Sequence, residues 1–280
     1  MAISLMSLIE NNADLNPVAG EIHFPDSGPE TLSKIEQNHF WYTARRHAVL
    51  KIIKNAGLAS DDGKKVLGLD IGCGTGFNAV YFTEIGFPTA GIDANDSFLT
   101  YKKAGRGAGF IRGDIFSIEP EPEFDFVLLL DVLEHIENDR AFLAQALKFV
   151  KPGGIAVITV PAFPALWSAT DEMGGHLRRY TKTSLRECVA RLDVPAKVEF
   201  ESYFYGATIL PYLLARRSRG NKFDADKYNK SIFPSPVVNS AVKLMLAAEA
   251  LVLPIGGVPF GSSLFARIRK SDQRRNNVTS

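Results

Sequence analysis

The run LDIGCGTGFNAVYF, residues 69–82, constrains this chain more than any other stretch. Apolar residues lead into Asp70 and Ile71. Gly72, Gly74 and Gly76 follow, and a helix-forming segment starts at Phe77. Glycine permits positive φ and close approach of the backbone to a ligand. A strand, a glycine turn and a helix in that order put a ligand at the carboxyl end of a strand, where open α/β sheets bind. The spacing is G-x-G-x-G, and Phe77 stands where a dinucleotide fingerprint would carry its third glycine. That disfavours a nicotinamide dinucleotide as the ligand.

Short β-rich runs alternate with helical patterns on both sides of this loop. Strands are expected at 66–71, 89–92, 109–112, 124–130 and 155–160, with helices at 77–85 and 138–150 and a turn at Pro152, Gly153 and Gly154. The alternation predicts an α/β fold, a doubly wound parallel sheet. Later β-rich runs at 198–203 and 263–268 supply a sixth and a seventh strand. Before the first strand, Trp41, Ala44, Ala48, Ile52 and Ala56 fall on one helical stripe that Gly57 ends. The expected organisation is an arm at 1–33, one domain at 34–270 and a tail at 271–280. An apolar helical insertion at about 205–260 lies within the domain, includes 209–215 and 237–253, and is expected to form a hydrophobic substrate pocket or lid, with a dimer interface or membrane contact as the alternatives.

Composition narrows the partners. The chain has 32 Lys and Arg against 31 Asp and Glu, a net charge of +1, so no nucleic-acid partner is expected. Cys73 and Cys188 cannot staple 280 residues, the first dozen residues make a poor signal peptide, and no uncharged apolar stretch is long enough to span a bilayer. A cytoplasmic setting is expected. The basic runs RRSRGNK and RKSDQRR would suit peripheral contact with anionic membrane headgroups.

Two further acids follow the glycine loop. Asp93 ends the second strand, 17 residues after Gly76 (93 − 76), where an acid can accept ribose hydroxyls. Asp114 in RGDIF can accept from an adenine amino group. Together with DVLEH at 131–135 and the PGG turn, this set resembles the class I S-adenosylmethionine-dependent methyltransferases over residues 64–160. The resemblance implies a Rossmann-like sheet of seven strands with a reversed last strand. It also implies S-adenosylmethionine held by Asp70, Gly72, Gly74, Asp93, Asp114 and Asp131, with Cys73, Gly76, Ala94, Ile115 and Val132 beside them. The N-terminal helix would be a lid, bringing Trp41, Tyr42 and Arg45 to the cofactor and Arg45 to its carboxylate.

Substrate chemistry is expected elsewhere. Asp131, Glu134 and His135 are spaced to share one helical face. Three readings stay open there: local structure, His135 as a base, or a divalent cation. The run resembles that of the ubiquinone-biosynthesis O-methyltransferases, in which it is associated with magnesium. The long connection 161–180 carries Trp167, His176, Arg178, Arg179 and Tyr180. It resembles a bacterial methyltransferase subgroup with a Gly-His-x-Arg-Arg-Tyr run there. His176 is the leading candidate base and His135 the second. Trp167, Arg178, Arg179 and Tyr180 are expected to meet the substrate. These residues point to O-methylation of a small, fairly apolar acceptor by a monomer or a homodimer. The alternatives are carbon or nitrogen methylation of a lipid-like or natural-product scaffold, and a silent cofactor-binding partner protein.

Overall fold

Branched and aromatic side chains fill the strands, and the sheet they form positions every other element. The computed structural model describes residues 35–58, 65–95, 108–209, 213, 234–253 and 256–272. The expected arm, residues 273–280 of the tail and most of the apolar run 209–215 lie outside the described residues. The described elements are α1 (Phe40–Lys54), β1 (Gly68–Ile71), α2 (Phe77–Glu84), β2 (Thr89–Asp93), β3 (Phe110–Arg112), β4 (Phe124–Leu130), α3 (Asp139–Lys148), β5 (Val150–Pro161), α4 (Ala169–Met173), α5 (Lys182–Ala190), β6 (Ala196–Phe204), α6 (Pro236–Val252) and β7 (Ser263–Lys270).

The strands form one seven-stranded sheet in the order β3-β2-β1-β4-β5-β7-β6. Neighbours from β3 to β5 are parallel, and β7 runs antiparallel between β5 and β6. This is the expected reversed last strand. The strand order reverses direction between β1 and β4, so the crevice for a ligand opens beyond the carboxyl ends of those two strands.

Period-two alternation divides the core. Val127 and Leu129 of β4 point to the face covered by α3 and α5, where Leu143, Leu147, Leu185 and Val189 pack. Phe126, Leu128 and Leu130 point the other way, to the face covered by α1, part of α2 and α6. The stripe read from the sequence is the buried side of α1: Ala44, Ala48, Val49, Ile52 and Ile53 are all buried.

Two expectations change at β5 and beyond it. The turn expected at 152–154 is a bulged entry into the strand. Val150 already pairs with Phe124, and the register shifts before Phe126. Gly154 lies so close to Asp125 that an added Cβ would sit 2.7 Å from its carbonyl oxygen. The connection 161–180 is ordered by a bridge between Ala162 and Tyr180, a turn at Pro164–Leu166 and the short α4. In the insertion, α6 braces α1. Lys51 Nζ donates to the Ala250 carbonyl at 3.0 Å, and Asn239 bonds both the Phe40 amide and the Asn38 carbonyl at 2.8 Å. Glu249 accepts from the amides of Gly206 and Ala207 at 3.0 and 3.2 Å.

Gly261, just before β7, has no room for a side chain, because a Cβ there would overlap the Phe204 backbone. Gly261→Ala is expected to lower unfolding free energy by about 1–3 kcal/mol through overpacking. Urea unfolding followed by circular dichroism measures it, and an unchanged midpoint would mean that the β6–β7 edge yields.

Candidate functional site

The glycine loop is built on positive φ. Gly72, Gly74 and Gly76 have φ of 72°, 55° and 82°. A Cβ on Gly72 would sit 2.7 Å from Val132 Cγ2, so the loop packs directly on the segment after β4. At Gly74 a Cβ would meet nothing within 4 Å, which leaves this side of the loop open. Asp93 braces the loop from β2: its carboxylate accepts from the Gly74 amide at 2.8 Å and from the Asn95 amide at 2.9 Å. Burial raises its pKa, against those two hydrogen bonds. Ala94 follows it, half-buried, while Cys73 is buried beneath the loop. Asp114 accepts from the Phe116 amide at 3.0 Å and so opens the turn Ile115–Ser117, in which Ile115 is buried.

Asp70 ends β1 inside this ring and is 1% exposed. Its Oδ2 has no hydrogen-bond partner among the described residues. Burial pushes its pKa up to about 8; Arg45 opposes the shift, and Asp93 and Glu36 add to it. A buried, unpartnered carboxyl beside an open glycine face is a receptor for a cation with hydrogen-bond donors. These residues therefore fit the ammonium of S-adenosylmethionine.

The helical segment before β1 closes over the loop. The Thr75 hydroxyl donates to the Glu36 carboxyl. The Arg46 guanidinium lies 4.4 Å from the Phe77 ring centroid. Burial and neighbouring Arg45 pull the Arg46 pKa down to about 10. Trp41 stacks on Tyr205 at 3.8 Å between ring centroids, and the Tyr205 hydroxyl donates to the Trp41 carbonyl at 2.7 Å. The Tyr42 ring centroid is 5.3 Å from the Arg45 guanidinium.

DVLEH meets α1 through Arg45, whose guanidinium is paired with Asp131. Asp131 in turn accepts from the Thr159 hydroxyl at 2.9 Å, which ties α1 to the ends of both β4 and β5. The structure corrects one expectation for this segment. Asp131 adopts φ 59°, and only Leu133–His135 form a turn, so Asp131 does not share a helical face with Glu134 and His135.

Glu134 is 1% exposed, and neither carboxylate oxygen meets a side-chain donor among the described residues. Burial, reinforced by Asp131, holds its pKa well above the usual range. The His135 ring packs edge-on against His176 at 4.9 Å. Burial and His176 lower the His135 pKa, so His135 is uncharged near neutral pH. His176 Nδ1 lies 2.8 Å from Asp171 Oδ1. Asp171 is almost fully buried and also accepts from the Arg179 guanidinium at 2.8 and 2.9 Å and from the Ser168 amide at 2.8 Å. Burial works against its charge, but the His176, Arg179 and Ser168 hydrogen bonds win and hold its pKa at about 2.

The loop's other polar side chains face protein partners. Arg179 also donates to the Ala162 carbonyl at 2.9 Å. Arg178 pairs with Asp139 at 3.1 Å and donates to the Glu137 carbonyl at 2.9 Å. The buried Tyr180 hydroxyl donates to Asp139 at 2.7 Å. Trp167, half-buried, donates to Glu172 at 3.4 Å. Glu134, His135 and His176 each bring one donor atom within 4.8 Å of the others, a set whose nitrogen and carboxylate chemistry suits a divalent cation. Asp131 stands apart from that set, bound to Arg45 and Thr159.

Three residues of this arrangement were not among the candidates from sequence: Glu36, Thr159 and Asp171. Asp171 had a readable signal. Ser168 and Asp171 stand three apart at the start of α4, the spacing of a capping box. Glu36 and Thr159 act across long separations and leave no local pattern.

Comparison with known proteins places this geometry in a family. A family model described as a methyltransferase domain matches residues 40–193. A ubiquinone biosynthesis O-methyltransferase of Rickettsia bellii is 35% identical over 96 residues, covering 32% of this chain and 40% of the relative. The corresponding protein of Bradyrhizobium sp. is 34% identical over 96 residues, with 32% and 38% covered. The match thus spans about two fifths of the length of these curated relatives. Among solved structures, a putative sarcosine dimethylglycine methyltransferase from Galdieria sulphuraria has a TM-score of 0.53 at 15% identity, covering 82% of this chain and 87% of that one. Phosphoethanolamine N-methyltransferase 2 of Haemonchus contortus, solved with S-adenosyl-L-methionine, has a TM-score of 0.52 at 19% identity, covering 89% and 57%. With the matched domain spanning more than half of its residues, from α1 through to α5, the chain belongs to the methyltransferase-domain family, the class I S-adenosylmethionine-dependent methyltransferases.

Proposed function

We propose that this protein methylates a hydroxyl of a small, fairly apolar acceptor, with S-adenosylmethionine as donor and His176 as general base. The observation that carries this reading is the Asp171–His176 pair set against His135 at the carboxyl end of the sheet. When bound, S-adenosylmethionine supplies an electrophilic methyl group on a sulfonium centre. Asp70 would hold its ammonium, Asp93 its ribose and Asp114 the edge of its adenine.

The chain's own residues then do three things. Asp171, a carboxylate at any working pH, accepts the Nδ1 proton of His176 and leaves Nε2 as the basic nitrogen. His135, uncharged, packs its ring against it and adds no competing positive charge. The α1 segment and the 161–180 connection cover the crevice and exclude water from a displacement that depends on alignment. The ubiquinone biosynthesis O-methyltransferases among the relatives support an oxygen acceptor on an apolar scaffold.

Asp93→Ala is expected to weaken S-adenosylmethionine binding at least tenfold by isothermal titration, through loss of both the ribose acceptor and the brace on Gly74. Unchanged affinity would remove Asp93 from the cofactor site. Affinity is also expected to rise with pH between about 6 and 8. Below its pKa of about 8, Asp70 carries a proton that an incoming ammonium must displace. A flat profile would separate Asp70 from the ammonium.

His176→Ala is expected to keep cofactor affinity and to lower turnover by about a hundredfold or more, the usual worth of a positioned base. Asp171→Asn is expected to lose part of that factor through the wrong tautomer. A screen of hydroxylated apolar acceptors with labelled cofactor reads both variants, and turnover within a few fold of the original would exclude His176 as the base.

A further inference from the structure

The outward side of α6 is the least expected surface of the molecule. Val237, Val238, Leu244, Met245, Leu251 and Val252 are between 43% and 79% exposed. They fall on one side of the helix together with Ala241, Ala247 and Ala248, so roughly half the circumference is exposed and bears no charge, with Ser240 its only polar residue. The inward side carries Leu246, Ala250 and Leu253, which pack against α1 and the sheet. Contiguous apolar exposure on this scale marks an interaction surface.

Lysines border the stripe. No acid occurs within α1, which carries exposed His47 and Lys54 and half-buried Lys51. Lys243 flanks the stripe on α6. The one acid of α6, Glu249, is turned inward to the amides of Gly206 and Ala207. Burial and the positive field of Arg46, Lys51 and Lys243 pull the His47 pKa down. In a chain whose net charge is only +1, the lysines of α1 and α6 are a local concentration of cations beside an apolar face.

We infer that α6 is a membrane-docking helix that lies flat in the headgroup region of an anionic lipid surface. Apolar residues on one side with lysines at the border is the pattern of a helix seated in the interface. Anionic headgroups answer the rim of cations. No helix among the described residues is long and apolar enough to cross a membrane, so the helix adsorbs and does not span. A second copy of the chain is the poorer occupant. A two-fold contact through the same face would set Lys54, Lys243 and their neighbours against their own equivalents.

The full chain is floated with vesicles of phosphatidylcholine alone and of phosphatidylcholine mixed with phosphatidylglycerol, at low and high salt. Flotation with the mixed vesicles, weakened by salt and absent with phosphatidylcholine alone, is expected. Leu244→Asp combined with Leu251→Asp is expected to cut the bound fraction about tenfold while leaving the melting temperature and S-adenosylmethionine affinity unchanged. Lys54→Glu with Lys243→Glu should weaken binding to the mixed vesicles with the apolar face intact. The inference is overturned if the chain fails to float with the mixed vesicles, or floats equally well after the Leu244 and Leu251 changes. A solution dimer that those changes dissolve, without any lipid binding, overturns it equally. None of these readouts depends on the acceptor or on His176.

Discussion

The pairing of Arg45 with Asp131 is the interaction on which both halves of the site depend. Arg45 is 6% exposed, and its charge is supportable there only because Asp131 faces it. Removing one member of such a pair strands the other and costs about 3–5 kcal/mol. Asp131 reaches it from φ 59°, a conformation that costs a non-glycine residue about 1–3 kcal/mol and persists only where the surroundings hold it. The Thr159 hydroxyl and the hydrogen bond that the Asp131 amide donates to the Thr159 carbonyl supply that hold. Through this one contact α1, β4 and β5 are fixed relative to one another, and the crevice beyond β1 acquires its roof.

The two sides of the crevice handle buried acid differently, and that difference separates their roles. On the glycine-loop side Asp70, Asp93 and Glu36 are raised by burial. At Asp70 and Glu36 the neighbouring arginines oppose that shift without overcoming it. That is the electrostatic state of a receptor for a positively charged ligand. On the 161–180 side Asp171 has more donors than it needs and stays ionised, which makes it a fixed anchor for a histidine. Acids pushed in opposite directions within one cleft are a mark of a working site.

Most of the sheet was legible because its strands are short apolar runs bounded by turn residues. Phe124–Leu130 has its expected bounds, and the glycine loop identified its neighbours by position alone. What failed to show was backbone geometry and long-range partnership. DVLEH has helical spacing, but its first residue leaves helical φ to reach Arg45, 86 positions earlier. Arg178, Arg179 and Tyr180 read as a polar cluster for a ligand, yet each is bonded to protein, because a long connection must satisfy its own buried polar groups. The apolar content of the insertion was plain, whereas the outward turn of half of α6 is a property of packing that no spacing rule reveals.

The separation in sequence of these contacts has a consequence for how the site assembles. Ser168, Asp171, His176 and Arg179 complete their bonds within twelve consecutive residues, so the base and its anchor come together by closing very short loops. Arg45 and Asp131 must close one of 86 residues. By the logarithmic growth of loop entropy, that is about 2 kcal/mol dearer than closing one of eight. The bond between His176 and its anchor is therefore locally encoded, while the roof over the glycine loop depends on chain far apart in sequence. A chain cut anywhere between α1 and β4 would therefore lose the covalent tie between Arg45 and Asp131 while His176 and Asp171 stay on one short segment.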